Sequence, residues 1–292
     1  MKPPIFIIGN PRSGTTLLRL IVNNHKNIIV PPECGFIIWL YEKYQGWSLQ
    51  NGRARSDIKC FVSDLNSCKK FETWGINVFQ LEDFIISVEP KSYAALVEAT
   101  YMFFSSLHKS GISQWGDKNN FHVKSVDTIN AIFPDSRFIH IVRDGRDVAC
   151  SYKALATSAS KSIYAPNLPS HIKKISQEWL DNNQAAINSF DKIDVSRVLL
   201  VRYEDLVSET EHQVRKICSH IGQEYDENML MYYKKNLEEE QEPKEFLQWK
   251  QKTIEKPTIS EVGKYKLLLT RDEIDIFNNN AGVLLKRFEY EI

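Results

Sequence analysis

The stretch IFIIGNPRSGTT, residues 5–16, joins a buried strand to a helix and decides the fold. The run Ile5–Ile8 is wholly apolar and mostly β-branched, which is typical of a strand buried on both faces of a parallel sheet. A turn over Gly9–Gly14 follows, and the spacing of apolar residues then predicts a helix over Thr15–Asn24. A strand, a turn and a helix in this order predict an α/β fold.

The turn has the skeleton of a nucleotide-binding P-loop, G-x-x-x-x-G, placed between a strand and a helix. Its glycines let the backbone bend, so that several N–H groups and the positive end of the helix converge on an anion. Thr15 stands where the P-loop lysine is expected, and Arg12 supplies the positive charge from inside the loop. Because that lysine reaches the β- and γ-phosphates of a nucleoside triphosphate, its absence favours a 5′-phosphate that bears a smaller, activated group. The alternative is a strand-to-helix turn without a ligand.

Strands and helices alternate along the rest of the chain. The apolar runs 138–142 and 198–201 predict strands, and the periodic stretches 93–107, 148–156 and 172–190 predict helices. We therefore predict an α/β fold with a P-loop-type parallel sheet flanked by helices on both faces.

Two segments interrupt this alternation within a predicted single domain of residues 1–292. Residues of about 46–90 are mixed in charge and rich in aromatic side chains, and we predict a helical insertion there. An acidic run is followed by lysines over residues 238–257, approximately, and we predict a lid-like segment there. Open α/β sheets often place substrate contacts in such segments, and the alternative is that both are solvated surface.

Composition and charge exclude several classes of protein. The 292 residues include 37 basic and 37 acidic side chains, and a net charge of zero argues against a nucleic-acid-binding protein. Apolar runs such as 36–41 are far shorter than the roughly 20 residues that span a bilayer, so we expect no membrane span. Because a strand is predicted to begin at Ile5, we expect no secretory signal. The five cysteines are widely spaced and lack CxxC pairs, which predicts reduced thiols and a cytoplasmic location rather than disulfides or a zinc site.

A second candidate anion site follows the strand 138–142. Arg143 stands at the end of this strand, and Ser151 comes eight residues later on the predicted helix. A guanidinium group, which can form two parallel hydrogen bonds, and a hydroxyl in these positions can bind one phosphate together. The alternative is that the charged residues of 143–147 pair with one another at the surface.

Together these segments resemble the sulfotransferases that use 3′-phosphoadenosine 5′-phosphosulfate (PAPS). Residues 11–16 are similar to the 5′-phosphosulfate loop of that family, and residues 143–151 are similar to its 3′-phosphate site. Three more segments match in order: WGDK at 115–118, VRYEDLV at 201–207 and, more weakly, VGKY at 262–265. The loop arginine and a glutamate shortly after the first helix resemble the branch that includes bacterial, tyrosylprotein and carbohydrate sulfotransferases. The insertion and the lid-like segment have no counterpart in the resemblance.

The resemblance implies a sulfotransferase domain that moves a sulfuryl group from PAPS to an acceptor hydroxyl or amine by in-line displacement. The product would be adenosine 3′,5′-bisphosphate (PAP), and no metal is expected because arginine and lysine can neutralise the developing charge. The acceptor stays open among carbohydrate, lipid, polyketide, peptide tyrosine and small alcohol. A P-loop kinase or NTPase and a non-catalytic PAPS-binding module are the competing interpretations.

The resemblance also implies roles for individual residues. Glu33, held between two prolines and Gly35, would be the general base, and Arg12 and Lys118 would act on the transferring group. His122 is the alternative base. The residues implied in cofactor binding are Arg12, Ser13, Gly14, Thr15, Thr16, Arg143, Ser151, Tyr203 and Lys264.

Overall fold

The computed structural model describes residues 1–48, 54–157, 164–239 and 241–292. Within these residues, five parallel strands form one sheet in the order β2-β3-β1-β4-β5. The strands are β1 (Ile5–Ile8), β2 (Ile28–Ile29), β3 (Gln114–Lys118), β4 (Arg137–Val142) and β5 (Val198–Arg202).

Helices make up most of the remaining described chain. The α-helices are α1 (Thr15–Asn23), α2 (Phe36–Trp39), α3 (Tyr41–Tyr44), α4 (Ala54–Asn66), α5 (Val78–Val88), α6 (Tyr93–His108), α7 (Val126–Ile132), α8 (Gly145–Thr157), α9 (Ile172–Phe190), α10 (Tyr203–Ser208), α11 (Thr210–Ile221), α12 (Tyr232–Glu239), α13 (Lys244–Lys250), α14 (Tyr265–Leu268) and α15 (Arg271–Arg287). Short 3-10 helices span Phe71–Trp74, Asn120–Lys124, Val195–Arg197, Glu227–Met231, Gln251–Ile254 and Ile259–Glu261.

The central strand β1 is buried on both faces, as its apolar sequence predicts. Phe6 and Ile8 belong to one apolar core, which they share with residues of α4, α5, α6 and α7. Ile5 and Ile7 belong to a second core, shared with residues of α1, α10 and α11. Full burial of each such side chain contributes about 1.5–3 kcal/mol. The predicted parallel sheet with helices on both faces is therefore confirmed.

Parallel pairing brings the predicted motifs to one edge of the sheet. Ile7 of β1 pairs in register with Lys118 of β3 on one side and with Ile139 of β4 on the other. Arg143 and Tyr203 directly follow β4 and β5. Because the carboxyl ends of parallel strands share an edge, the loop after β1, Lys118, Arg143 and Tyr203 are neighbours there.

The sequence did not predict β2 or β3 as strands. β3 reads QWGDK, yet all of its residues are buried. Tyr101 donates a hydrogen bond to Asp117, and Lys118 forms an ion pair with Glu33. Because these polar side chains depend on partners from distant elements, no apolar run marks the strand in the sequence. β2 is only two residues long.

The predicted insertion at about 46–90 is helical, and its residues 49–53 lie outside the described residues. Phe61, Leu65 and Trp74 are buried in the same core as Phe6. The segment is therefore part of the core, and its interpretation as solvated surface is wrong.

The predicted lid-like segment at about 238–257 contains the end of α12, all of α13 and a 3-10 helix, and its residue 240 lies outside the described residues. Glu242 and Phe246 are buried, so this segment is not simply solvated surface either. Its role as a lid stays a prediction. Across the described part of the chain, no helix has both the length and the apolar character needed to cross a membrane.

Candidate active site

A cavity of 1420 Å³ opens at the carboxyl edge of the sheet. The predicted site residues that line it are Arg12, Gly14, Thr15, Thr16, Glu33, Arg143, Ser151, Tyr203 and Lys264. Ser13 and Lys118 are buried and are not part of its lining. The cavity therefore brings together residues from both predicted anion sites and the predicted base.

The loop after β1 presents the amino end of α1 to this cavity. Gly14 precedes the helix with a left-handed φ of 89°, and a Cβ there would lie 2.5 Å from Cδ2 of Tyr203, so only glycine fits. No side chain caps the helix, and its first turn contains no acidic residue. The hydroxyl of Ser13 is buried and has no hydrogen-bond partner among the described residues. Uncapped N–H groups at a helix amino end favour an anion.

Two arginines stand side by side next to this loop. Arg12 Nε donates to Ser151 Oγ at 3.0 Å, and Arg143 Nη1 donates to the carbonyl oxygen of Arg12 at 3.2 Å. Burial lowers the pKa of Arg12, and the positive charge of Arg143 lowers it further. Within the described residues, neither guanidinium forms an ion pair with a carboxylate. An anion bound between them would relieve this like-charge contact.

The charged residues of 143–147 do not simply pair with one another. Arg146 forms an ion pair with Asp144 at 2.7 Å, but both side chains are buried rather than at the surface. Arg143 instead donates to the carbonyl oxygen of Glu261 at 2.7 Å and leaves its buried Nε without a partner in the described chain. The surface-pairing alternative is therefore wrong for Arg143.

Asp147 fixes the C-terminal loop against the cavity. Its carboxylate accepts hydrogen bonds from the backbone N–H groups of Gly263 at 2.7 Å and Tyr265 at 2.9 Å. Lys264 lies between these anchors, where its ammonium group pairs with Glu261. The loop is thereby held with one lysine at the cavity wall.

Tyr203 covers the loop from the end of β5. Its ring packs against Gly14, and the guanidinium carbon of Arg143 lies 4.5 Å from the ring centroid. Burial raises the pKa of its hydroxyl, so the phenol is neutral at ordinary pH. Tyr203 therefore forms an aromatic wall beside the second arginine.

The other end of the cavity is built around the Glu33 carboxylate. Glu33 Oε1 pairs with the ammonium group of Lys118 and lies 3.8 Å from Nζ of Lys250, while Oε2 accepts from Lys70 at 2.7 Å. Burial alone would raise the pKa of Glu33, but the three ammonium groups outweigh it and hold that pKa well below its usual range. Burial lowers the pKa of Lys118 to about 8, although Glu33 opposes this shift. The site thus holds an ionised carboxylate with a surplus of cations.

The alternative base His122 lies elsewhere. It is fully buried, its Nδ1 is 3.0 Å from Asp117 Oδ1, and its ring packs against Phe6. It does not line the cavity. The structure therefore brings Glu33, and not His122, to the predicted reaction site.

Sequence similarity to known proteins agrees with this geometry. A family model described as "Sulfotransferase family" matches residues 3–227. The chain belongs to the sulfotransferase family.

Curated sulfotransferases match over most of this chain. The omega-hydroxy-beta-dihydromenaquinone-9 sulfotransferase Stf3 of Mycobacterium bovis is 24% identical over 244 residues, which cover 75% of this chain and 63% of that protein. The protein-tyrosine sulfotransferase 2 of Gallus gallus is 25% identical over 228 residues, which cover 78% of this chain and 53% of that protein. The matched region thus spans between about half and two thirds of these relatives.

Solved sulfotransferase structures share the fold. The sulfotransferase domain of the Synechococcus PCC 7002 olefin synthase superposes with a TM-score of 0.63 at 19% identity, covering 100% of this chain and 97% of that domain. Mouse sulfotransferase SULT7A1, solved in complex with PAP, superposes with a TM-score of 0.50 at 13% identity, covering 99% of this chain and 88% of that one.

In this member of the family, sequence reasoning missed the two lysines that accompany Lys118 at Glu33. Lys70 follows α4 in the insertion, and Lys250 ends α13 in the lid-like segment. Neither segment matched a motif, and a lysine in a mixed-charge segment carries no signal of its own. Only the fold shows that both segments meet Glu33.

No group of three or more His, Cys, Asp or Glu side chains suited to a metal occurs in the part of the chain that the structure describes.

Proposed function

We propose that this protein is a PAPS-dependent sulfotransferase, which transfers a sulfuryl group to an acceptor hydroxyl or amine and leaves PAP. The observation that carries the proposal is the pair Arg12 and Arg143, which stand together at the uncapped amino end of α1 without a carboxylate partner in the described chain. Family membership supports the same activity.

The residues at this end fit the anionic groups of PAPS. Arg12, the hydroxyl of Ser13 and the backbone of 13–16 would hold the 5′-phosphosulfate. Arg143 and Ser151 would hold the 3′-phosphate, to which the unpartnered Nε of Arg143 can donate. Tyr203 would contact the adenine, and Lys264 would add a cation from the C-terminal loop.

When bound, PAPS supplies a sulfuryl group that is already activated by its phosphosulfate anhydride. Arg12 and the N–H groups of α1 would stabilise the charge that grows on the departing 5′-phosphate. Lys118 does not line the cavity, so it would act on the transferring group through the positive charge that it holds beside Glu33. Glu33 would accept the proton of the acceptor hydroxyl at its carboxylate. None of these roles needs a metal, because cationic side chains neutralise the charge.

The acceptor would enter between aromatic residues at the cavity wall. Trp39 and Phe121 line the cavity, are 41% and 64% exposed, and contact each other with ring centroids 6.0 Å apart. Such a wall suits the ring or chain of an acceptor, whether lipid, polyketide, carbohydrate, peptide tyrosine or small alcohol.

We also propose a cytoplasmic location, which the five free cysteines, four of them buried, support.

Isothermal titration calorimetry with PAP, adenosine 5′-phosphate and ATP tests the cofactor. We expect PAP to bind more tightly than adenosine 5′-phosphate, because only PAP carries a 3′-phosphate for Arg143. Tighter binding of ATP would replace this proposal with the P-loop kinase or NTPase. A mass-spectrometric screen that supplies PAPS with an acceptor library then distinguishes an enzyme from a non-catalytic PAPS-binding module.

A further inference from the structure

A buried group of charges connects α1, the Glu33 loop and the lid-like segment. We call it the Glu33–Glu242 cluster, and its members are Arg19, Glu33, Lys70, Lys118, Glu242 and Lys250. It contains four cations and two carboxylates, and the relative exposure of each side chain is at most 16%. Two positive charges are therefore in excess in a place that is largely removed from water.

Within this cluster, Glu242 has a second cationic partner besides Lys250. Its Oε2 accepts a hydrogen bond from Arg19 Nη2 at 2.6 Å, and both side chains are only 1% exposed. Arg19 is itself fixed by its second nitrogen, which donates to the carbonyl oxygen of Val30 at 2.9 Å. Arg19 and Glu242 thus form a buried structural ion pair. The ammonium group of Lys250 pairs with Oε1, the other oxygen of this carboxylate, so one negative charge faces two cations.

Lys250 occupies the space between the two carboxylates. Its Nζ pairs with Glu242 and stands 3.8 Å from Oε1 of Glu33, the same oxygen that Lys118 contacts. Lys250 and Lys118 are therefore neighbours of like charge. They differ in one respect that matters for a ligand: Lys250 lines the cavity, and Lys118 does not.

We propose that Lys250 is a sulfuryl-binding residue, whose ammonium group contacts the sulfonate oxygens of PAPS beside Glu33. The inference rests on the proposed function and deepens it. A sulfonate is the kind of oxyanion that a surplus of buried ammonium groups stabilises, because charge-assisted hydrogen bonds strengthen when water is excluded. The lid-like segment would then have a chemical task, which is to bring this lysine to the transferring group.

Binding of the sulfonate by Lys250 would also affect Glu33. An ammonium group that turns from the carboxylate to a sulfonate leaves Glu33 with less positive charge around it. Glu33 would then accept a proton more readily at the moment when the sulfuryl group is in place. Lys250 would thus act on both the donor and the base.

The test compares PAPS with PAP, since only PAPS carries the sulfonate. We expect Lys250→Met to weaken binding of PAPS by about 10- to 100-fold, the range of one hydrogen bond to a charged group, and to change binding of PAP less than about threefold. The single-turnover rate should fall as well. Lys250→Arg keeps the charge and should restore most of the affinity for PAPS.

Lys256→Met is the matched control, because Lys256 is an exposed lysine of the same segment that also lines the cavity but does not belong to the cluster. It should change the affinities for PAP and PAPS equally. If Lys250→Met does not fold, Lys250→Gln, which retains a donor for Glu242, should show the same loss specific to PAPS.

The two proposals fail in different ways. A Lys250→Met or Lys250→Gln protein that loses equal affinity for both ligands, or none, overturns the inference and leaves the sulfotransferase proposal intact. The inference is equally overturned if Lys256→Met discriminates between the ligands as strongly as Lys250→Met. A wild-type protein that binds neither PAP nor PAPS overturns the proposed function itself.

Discussion

Replacing Glu33 with glutamine removes one negative charge from the centre of three ammonium groups. The glutamine side chain would keep an oxygen that can accept a hydrogen bond from Lys118, but it would leave Lys118, Lys70 and Lys250 without the carboxylate that they share. Removing one partner of a buried ion pair typically costs about 3–5 kcal/mol. This is a large part of the roughly 5–15 kcal/mol by which a domain is stable. We therefore expect Glu33→Gln to fold but to unfold at a lower denaturant concentration.

The size of this loss should depend on pH. The folded-state pKa of Glu33 lies well below that of the unfolded chain, so its stabilisation is present above the unfolded value and is lost as pH falls through the folded value. At the other end, removing Glu33 lowers the pKa of Lys118 below its value of about 8. A neutral Lys118 needs no carboxylate, so the difference between the two proteins shrinks as pH rises. The loss should therefore be greatest near neutral pH, which urea unfolding at several pH values measures.

The catalytic effect must be separated from this loss of stability. At a temperature where both proteins are folded and with saturating PAPS, we expect the turnover of Glu33→Gln to fall by about 10²–10⁴-fold, as loss of a positioned base does. His122→Ala is the comparison, because His122 is buried and does not line the cavity. Near-normal turnover of a folded Glu33→Gln protein would refute the role of Glu33. An inactive but folded His122→Ala protein would move the role of base to His122.

Three other substitutions test the remaining parts of the site. Arg143→Ala should weaken binding of PAP by about 2–5 kcal/mol and that of adenosine 5′-phosphate less, as measured by calorimetry, and equal losses would contradict a 3′-phosphate contact. Because burial lowers the pKa of Lys118 to about 8, its charge is lost as pH rises through that value, and the rate should fall with it. Lys118→Arg should extend the rate to higher pH, and an unshifted profile would exclude Lys118. Gly14→Ala, at a φ of 89° and against Tyr203, should lose about 1–3 kcal/mol of stability in urea unfolding, whereas Gly46→Ala, with open space around it, should change it little.

The elements that the sequence predicts well are those whose structure depends on local pattern. The apolar run of β1 and the helix over Ile172–Phe190 have their predicted bounds, because burial on both faces or on one stripe dictates their composition. β3 was not predicted, because its burial depends on contacts with Tyr101 and Glu33, which are distant in the sequence. A buried strand with polar side chains can be predicted only when the residues that pair with those side chains are known.

The same distinction applies to the site. The loop after β1 and the Arg143–Ser151 segment could be predicted to reach one cavity, because a strand, a turn and a helix place their cationic and hydroxyl side chains within a few residues of one another. Of the three cations around Glu33, Lys70 and Lys250 could not be predicted, since they belong to segments that resemble no motif. These two lysines change the basicity that the sequence alone suggests for Glu33. A lone loop glutamate would be an ordinary base, whereas Glu33 is held ionised by three ammonium groups and is a weak base until an anion shares them. Under the proposed roles, the affinity of the site for an oxyanion and the basicity of Glu33 would be coupled. A bound donor that draws Lys250 away from the carboxylate would prepare Glu33 to accept the proton of the acceptor.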